Sequence, residues 1–265
     1  MINSESQDKV AYKNFFFQKS VKRKKTADKD KNSYLGRIMR IVNISFGRFP
    51  EISYLNPRFK PRSLKLKLVL DVFLPKEKKS ISFPQIYGKL KKILPTLDKH
   101  KCCVGLLYGS FSYSNESDAP IKQVGGVTDI AHLIEHMIID LEASISHMPT
   151  CSGITCGYKR PEVRFDLFIE CKDRSVARFA SNFSVFLMNH LFSGKSLSPR
   201  YFDLVSLAKY LYKDRSLILC PEKIASDLGW KVSYTRKRIK ELLNFKYLTK
   251  DELNPSDSVK EAKNE

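Results

Sequence analysis

Apolar and polar positions alternate in two strand-like runs early in the chain and recur at helical spacing through most of the rest. From Arg37 to Ser45 the alternation sets Ile38, Arg40, Val42 and Ile44 on one side of a strand. Leu64 to Val72, where leucines alternate with lysines, is the clearest strand in the sequence. Ser80 to Leu97 places Phe83, Ile86, Tyr87, Leu90, Ile93 and Leu94 on one helix face, with Pro84 suited to the first turn. Thr128 to Ile145 does the same with Ile130, Leu133, Ile134, Met137, Ile138, Leu141 and Ile145, and Thr128 or Asp129 can cap its start. Val163 to Glu170 reads as a strand, and Ser175 to Phe192 as a further amphipathic helix. Strand, strand, helix, helix, strand, helix predicts an α+β domain on a mixed sheet.

The polar side of the 128–145 helix carries His132-Leu133-Ile134-Glu135-His136, the inverted zinc-hydrolase spacing H-x-x-E-H. Imidazoles four residues apart stand one above the other on a helix and can reach one metal ion. A carboxylate just before the second histidine lies where a general base belongs. With 5 His in 265 residues, composition alone would produce the pattern about 0.005 times. The two histidines point away from the apolar arc, so they read as ligands or as residues of a solvated face. A catalytic zinc takes three protein ligands. Glu170 is the candidate for the third, and an ordinary strand carboxylate is the competing reading. Asp140, one turn beyond His136, is an alternative ligand or a carboxylate that supports one.

Residues 196–253 read as a separate winged helix-turn-helix domain. After a linker at Gly194–Pro199, helices are predicted over Tyr201–Leu211, Pro221–Leu228 and Ser233–Leu243, with Gly229 at the turn between the last two. Asn244 to Leu248 would begin a wing strand. The third helix carries Arg236, Lys237, Arg238 and Lys240. Ser233, Tyr234, Arg236, Lys237 and Lys240 are the candidate DNA contacts. From 200 to 250 there are 12 Lys and Arg against 5 Asp and Glu. A protein-contact or dimerisation role is the competing reading of the same fold.

Charge extends this picture. The net charge of +19 favours polyanionic partners. Residues 1–33 form a basic leader containing Lys22-Arg23-Lys24-Lys25, and residues 254–265 a polar tail. Their composition predicts disorder in the leader. No apolar run is long enough to span a membrane, and no apolar leader signals secretion. Six cysteines without paired spacing read as reduced thiols. A cytoplasmic protein without a membrane partner is therefore expected, with a homodimer admitted by the C-terminal fold.

Several segments between residues 34 and 195 resemble the N-terminal domain of cyanophycin synthetases: Phe83-Pro84-Gln85-Ile86-Tyr87, Leu94-Pro95-Thr96-Leu97, Cys102-Cys103, Gly109-Ser110-Phe111, His132 to His136, and Phe168-Ile169-Glu170. The H-x-x-E-H helix taken alone is also similar to that of pitrilysin-type metallopeptidases. The resemblance implies an α+β domain that, in some members, is a metal-dependent hydrolase cutting the polymer backbone. By matching position, His132, His136 and Glu170 would then hold zinc and Glu135 would activate water. Asp140 stands where that family usually has Glu, and the loop before the last strand is shortened to Gly157–Pro161. No Gly-x-x-x-x-Gly-Lys nucleotide loop occurs.

Two functions follow as expectations. One is a zinc-dependent hydrolase acting on a peptide or polyamide. The other is a transcriptional regulator whose N-terminal domain senses a ligand without catalysis while residues 200–253 bind double-stranded DNA. A purely structural zinc domain is a third.

Overall fold

The computed structural model describes residues 38–56, 58–73, 83–100, 127–249 and 252, all within one compact unit, Arg37–Glu265. Four strands, β1 (Met39–Gly47), β2 (Lys65–Val72), β3 (Gly153–Gly157) and β4 (Arg164–Glu170), form one sheet in the order β1-β2-β4-β3. Every pairing is antiparallel, which corrects the expectation of a mixed sheet. The reason lies in the connections. β1–β2 and β3–β4 are local antiparallel pairs, and the helical stretch between them returns β4 antiparallel to β2.

Among the described residues there are six α-helices: α1 (Phe83–Leu90), α2 (Val127–Ser146), α3 (Arg174–Phe192), α4 (Arg200–Lys213), α5 (Pro221–Leu228) and α6 (Val232–Asn244). α2 and α3 cover one sheet face. That face is built from Leu66, Leu68 and Leu70 of β2, paired with Ile169, Leu167 and Phe165 of β4, all nearly inaccessible. The β1 parity differs from the simple alternation. Met39 and Ile41 lie opposite Val72 and Leu70, the register then shifts between Ile41 and Asn43, and Ile44 and Phe46 follow opposite Leu68 and Leu66. The extra residue of this bulge returns the strand's apolar residues to the helix side.

The second sheet face is covered by a small cluster of Ile52, Phe59 and Phe168. Ions on this face are paired. Lys67 lies 2.7 Å from Asp166, and Asp71 is held by Arg164 at 2.7 Å and Arg40 at 2.6 Å. Burial pushes the Asp71 carboxyl up, but the two guanidiniums outweigh it and hold the pKa below the usual range. Lys65 is fully buried, its ammonium donating to the carbonyls of Arg48, Lys60 and Ser63.

α3 begins with the Asp173 carboxylate accepting from the Ser175 and Val176 amides at 2.7 and 3.0 Å, which satisfies two otherwise orphaned donors. The core runs on without a break into the C-terminal helices: Leu204, Leu207, Ala208, Leu211, Ile239 and Leu242 belong to the same cluster as the α2 and α3 residues. The expected wing strand at Asn244–Leu248 is absent. Asn244 ends α6, and Phe245 to Leu248 form a turn with Lys246 at φ 61°. The turn is set by aromatic packing. Phe245 meets Phe183 and Phe186 at centroid distances of 5.2 Å, and the buried Tyr247 donates its hydroxyl to the Ala208 carbonyl at 2.9 Å. No described helix is long and apolar enough to cross a membrane.

Candidate metal centre on the central helix

α2 is buried nearly all round, so its polar stripe is not the solvated face that periodicity suggests. Ile130, Leu133, Ile134, Met137, Ile138, Leu141 and Ile145 face the core, yet Glu135 and His136 are each only 4% exposed and Asp140 only 2%. The stripe lies between the edge strand β3 and the residues around the 3-10 turn Leu97–Lys99.

His132 and His136 converge, with Nε2 atoms 3.1 Å apart and ring centroids at 4.7 Å. Glu135 joins them, so that one ligand atom from each of the three residues lies within 4.8 Å of the others. The Thr155 hydroxyl donates to Glu135 Oε2 at 2.5 Å. Gly153 makes the approach of β3 possible, since a Cβ there would come within 2.6 Å of Glu135 Oε1. The sequence pattern signals neither Gly153 nor Thr155, because Gly-Ile-Thr-Cys-Gly has neither the length nor the alternation of a recognisable strand.

The electrostatics favour neutral groups. Burial, together with the neighbouring His132 and His100, pulls His136 down to about 3. Burial also lowers His132, partly opposed by the Asp129 charge. Both imidazoles are thus kept in the unprotonated form that a metal requires. Burial raises Glu135 to about 8, partly opposed by the Thr155 hydrogen bond. A cation bound beside it would reverse that shift.

The sequence candidates Asp140 and Glu170 have different fates. Asp140 lies next to the cluster, where it accepts from the Thr96 hydroxyl and meets His100 Nε2 at 3.1 Å. The His100 ring is 5.4 Å from that of His136. Glu170 is not brought to the site. It pairs with Lys65 on the sheet face opposite α2, and its carboxylate accepts from the Lys60 amide at 2.8 Å and the Ser63 hydroxyl at 3.0 Å. Strand parity explains this: Phe165, Leu167 and Ile169 take the helix side, so Glu170 takes the other. His100 had no sequence signal beyond scarcity, since three of the chain's five histidines gather here. Cys102 and Cys103 lie outside the described residues, and Cys151, Cys156, Cys171 and Cys220 are free thiols.

At the C-terminus α5 and α6 are joined by a short turn, with Gly229 left-handed at φ 68°. Ser233, Arg236, Lys237 and Lys240 are exposed and fall within one arc of α6. Arg236 makes an exposed ion pair with Glu222 at 2.5 Å. Tyr234 is half-buried and donates its hydroxyl to Asp203. Arg238 is not part of the cationic arc. It is 2% exposed, stacks over Tyr234 at 4.8 Å and donates to Glu241 at 2.7 Å. The leader lysines at 22–25 lie outside the described residues.

Residues 66–193 match the family model of the cyanophycin synthase-like N-terminal domain. The match takes in nearly all of β2, every residue of the histidine cluster and the whole of α3, and leaves β1 and the three C-terminal helices outside. No curated protein matches the chain.

Proposed function

We propose that the chain is a zinc-dependent hydrolase of amide bonds in a peptide or polyamide. The observation that carries this reading is the convergence of the His132 and His136 nitrogens beside a buried Glu135. The donor set fits the metal. Nitrogens bound at about 2.0–2.1 Å in a tetrahedron sit about 3.3 Å apart, close to the 3.1 Å found between the two Nε2 atoms. When bound, zinc supplies Lewis acidity toward a carbonyl oxygen and toward water.

The remaining chemistry belongs to the chain. Glu135 takes a proton from the attacking water as the new C–O bond forms. It returns that proton to the amine nitrogen as the C–N bond breaks. Thr155 fixes the carboxylate through Oε2, and Gly153 leaves room for it. Enclosure by β3 and the residues near Leu97 limits bulk water around the base.

The test is metal content with turnover. Purified protein should hold about one zinc per chain, His132→Ala and His136→Ala should each release it, and Glu135→Gln should keep it while hydrolysis of peptide or isopeptide polymers falls about 10²- to 10⁴-fold. A chain that takes up no zinc, or a Glu135→Gln variant with full turnover, overturns the reading.

The exposed cationic arc of α6 favours a second reading, a regulator that binds double-stranded DNA through residues 200–253. Each phosphate neutralised should add about 0.9 to the negative log–log salt slope. Arg236→Ala with Lys237→Ala should flatten it. No binding to a duplex pool at low salt would leave the arc as a protein-contact or dimer surface.

A further inference from the structure

The two helix imidazoles leave a catalytic zinc one protein ligand short if Glu135 is to serve as base. Glu170 faces the other side of the sheet. A further imidazole packed beside the pair is His100, which directly follows the 3-10 turn Leu97–Lys99.

Three observations bear on His100. Its ring centroid lies 5.4 Å from that of His136, and the His132–His136 pair stands at 4.7 Å. Two imidazoles sharing a tetrahedral metal at about 2.0–2.1 Å have centroids about 5 Å apart. Next, His100 Nε2 is 3.1 Å from Asp140 Oδ1, and that carboxylate also accepts from Thr96. A carboxylate acceptor places the imidazole proton on Nε2 and leaves the lone pair on Nδ1. Finally, Nδ1 is buried and has no hydrogen-bond partner among the described residues. A buried polar atom left unsatisfied is uncommon and calls for an unseen ion or water. A proton given to a carboxylate behind and a bare nitrogen in front is the usual state of a metal-bound histidine.

We propose that His100 is the third nitrogen ligand of this centre, through Nδ1, and that Asp140 is its positioning residue. The inference rests on the metal reading above. His100 is not among the three residues whose ligand atoms lie within 4.8 Å of one another. Metal binding therefore draws its ring toward the pair while Asp140 keeps hold of Nε2. The resulting set, three histidines with Glu135 outside the coordination sphere, keeps the carboxylate available as a base.

Cobalt(II) titration of the full chain, with zinc affinity from chelator competition, tests this. The wild type should bind one cobalt and show the intense visible bands of a four-coordinate site. Asp140→Asn should weaken zinc about 10- to 100-fold. His100→Ala should weaken it more and lose the four-coordinate bands. His100→Cys should restore binding and add a near-ultraviolet thiolate-to-cobalt charge-transfer band, which a merely packed residue would not produce. If the wild type binds cobalt and His100→Ala matches it in affinity and spectrum, His100 is not a ligand, and the two-histidine centre stands without it. If His100→Ala fails to fold, the band of His100→Cys decides, and its absence in a folded, cobalt-loaded variant overturns the assignment. A wild type that binds neither cobalt nor zinc removes the metal reading and this inference together.

Discussion

Replacing Gly153 with alanine probes the contact between the edge strand and Glu135. A Cβ at this position would stand 2.6 Å from Glu135 Oε1, 3.0 Å from its Cγ and 2.9 Å from Ile139 Cδ1. Carbon contacts are comfortable at about 3.5–4.0 Å, so the added methyl needs room on two sides at once. The carboxylate cannot simply swing away, because Thr155 holds its other oxygen and the side chain is buried. Glycine-to-alanine within a strand would ordinarily gain about 0.5–1 kcal/mol from reduced backbone freedom. Overpacking of a tight site loses about 1–3 kcal/mol. The second effect wins, leaving a net loss on the order of 1–2 kcal/mol. Gly88 in α1 is the control, since nothing lies within 4 Å of its added Cβ. Gly88→Ala should gain about 0.5–1 kcal/mol from helix propensity. Urea denaturation of both variants with unchanged slopes reads the two signs directly. The same Gly153→Ala protein should also lose hydrolysis, because the base is displaced. A Gly153→Ala variant as stable as Gly88→Ala would refute the close packing of β3 on Glu135.

Three further outcomes are expected. In protein stripped of metal, Glu135 holds its proton up to about 8 against an ordinary 4.5. Between those values the native state binds more protons than the unfolded one, so this carboxyl's contribution falls by about 1.4 kcal/mol per pH unit from 4.5 to about 8, offset below 6.5 by the lowered histidines. Glu135→Gln should flatten that limb in urea titrations, and an unchanged limb would assign it elsewhere. On the acid side His136, held down to about 3 from 6.5, binds fewer protons when folded, so its contribution is lost as pH falls from 6.5 toward 3; His132 and Asp71 are lowered too, so His136→Gln should make the acid limb shallower, and an equally steep limb would exclude this cause. Glu170→Gln should leave zinc stoichiometry unchanged while weakening the fold by about 1–3 kcal/mol, as for a buried hydrogen-bond acceptor; zinc loss in a folded variant would return Glu170 to the centre.

How far the sequence could be read depended on what each segment packs against. β2 was legible because its leucines alternate with lysines, and the H-x-x-E-H spacing because it is rare. β1 was legible as a strand but not in its sidedness, since the shift between Ile41 and Asn43 leaves no compositional mark. β3 was not legible at all: Gly-Ile-Thr-Cys-Gly has neither length nor alternation. Losing β3 also hid the burial of the α2 polar stripe, because β3 is what covers Glu135. Helix periodicity ran from Ser80 to Leu97, but the helix stops at Leu90 and gives way to turns ahead of Pro95. That break brings Thr96 and His100 to Asp140. At the C-terminus the three helices and the Gly229 turn were readable from spacing, whereas Phe245 and Tyr247 follow tertiary aromatic contacts that no local pattern encodes.

The sheet order has a kinetic consequence. α2, β3 and β4 come from one contiguous stretch, so His132, Glu135, His136, Gly153 and Thr155 can be gathered by short-range contacts alone. β2 meets β4 through pairs far apart in sequence, such as Leu66 with Ile169. Closing a loop on the order of 100 residues demands about 4 kcal/mol of chain entropy before that pairing yields anything in return. Contacts so distant in sequence slow a folding reaction more than local ones do. The helix–hairpin half of the centre is therefore expected to assemble early, with the joining of the two strand pairs as the slow step. Destabilising changes at Leu66 or Ile169 should act chiefly on the folding rate if that pairing lies in the transition state.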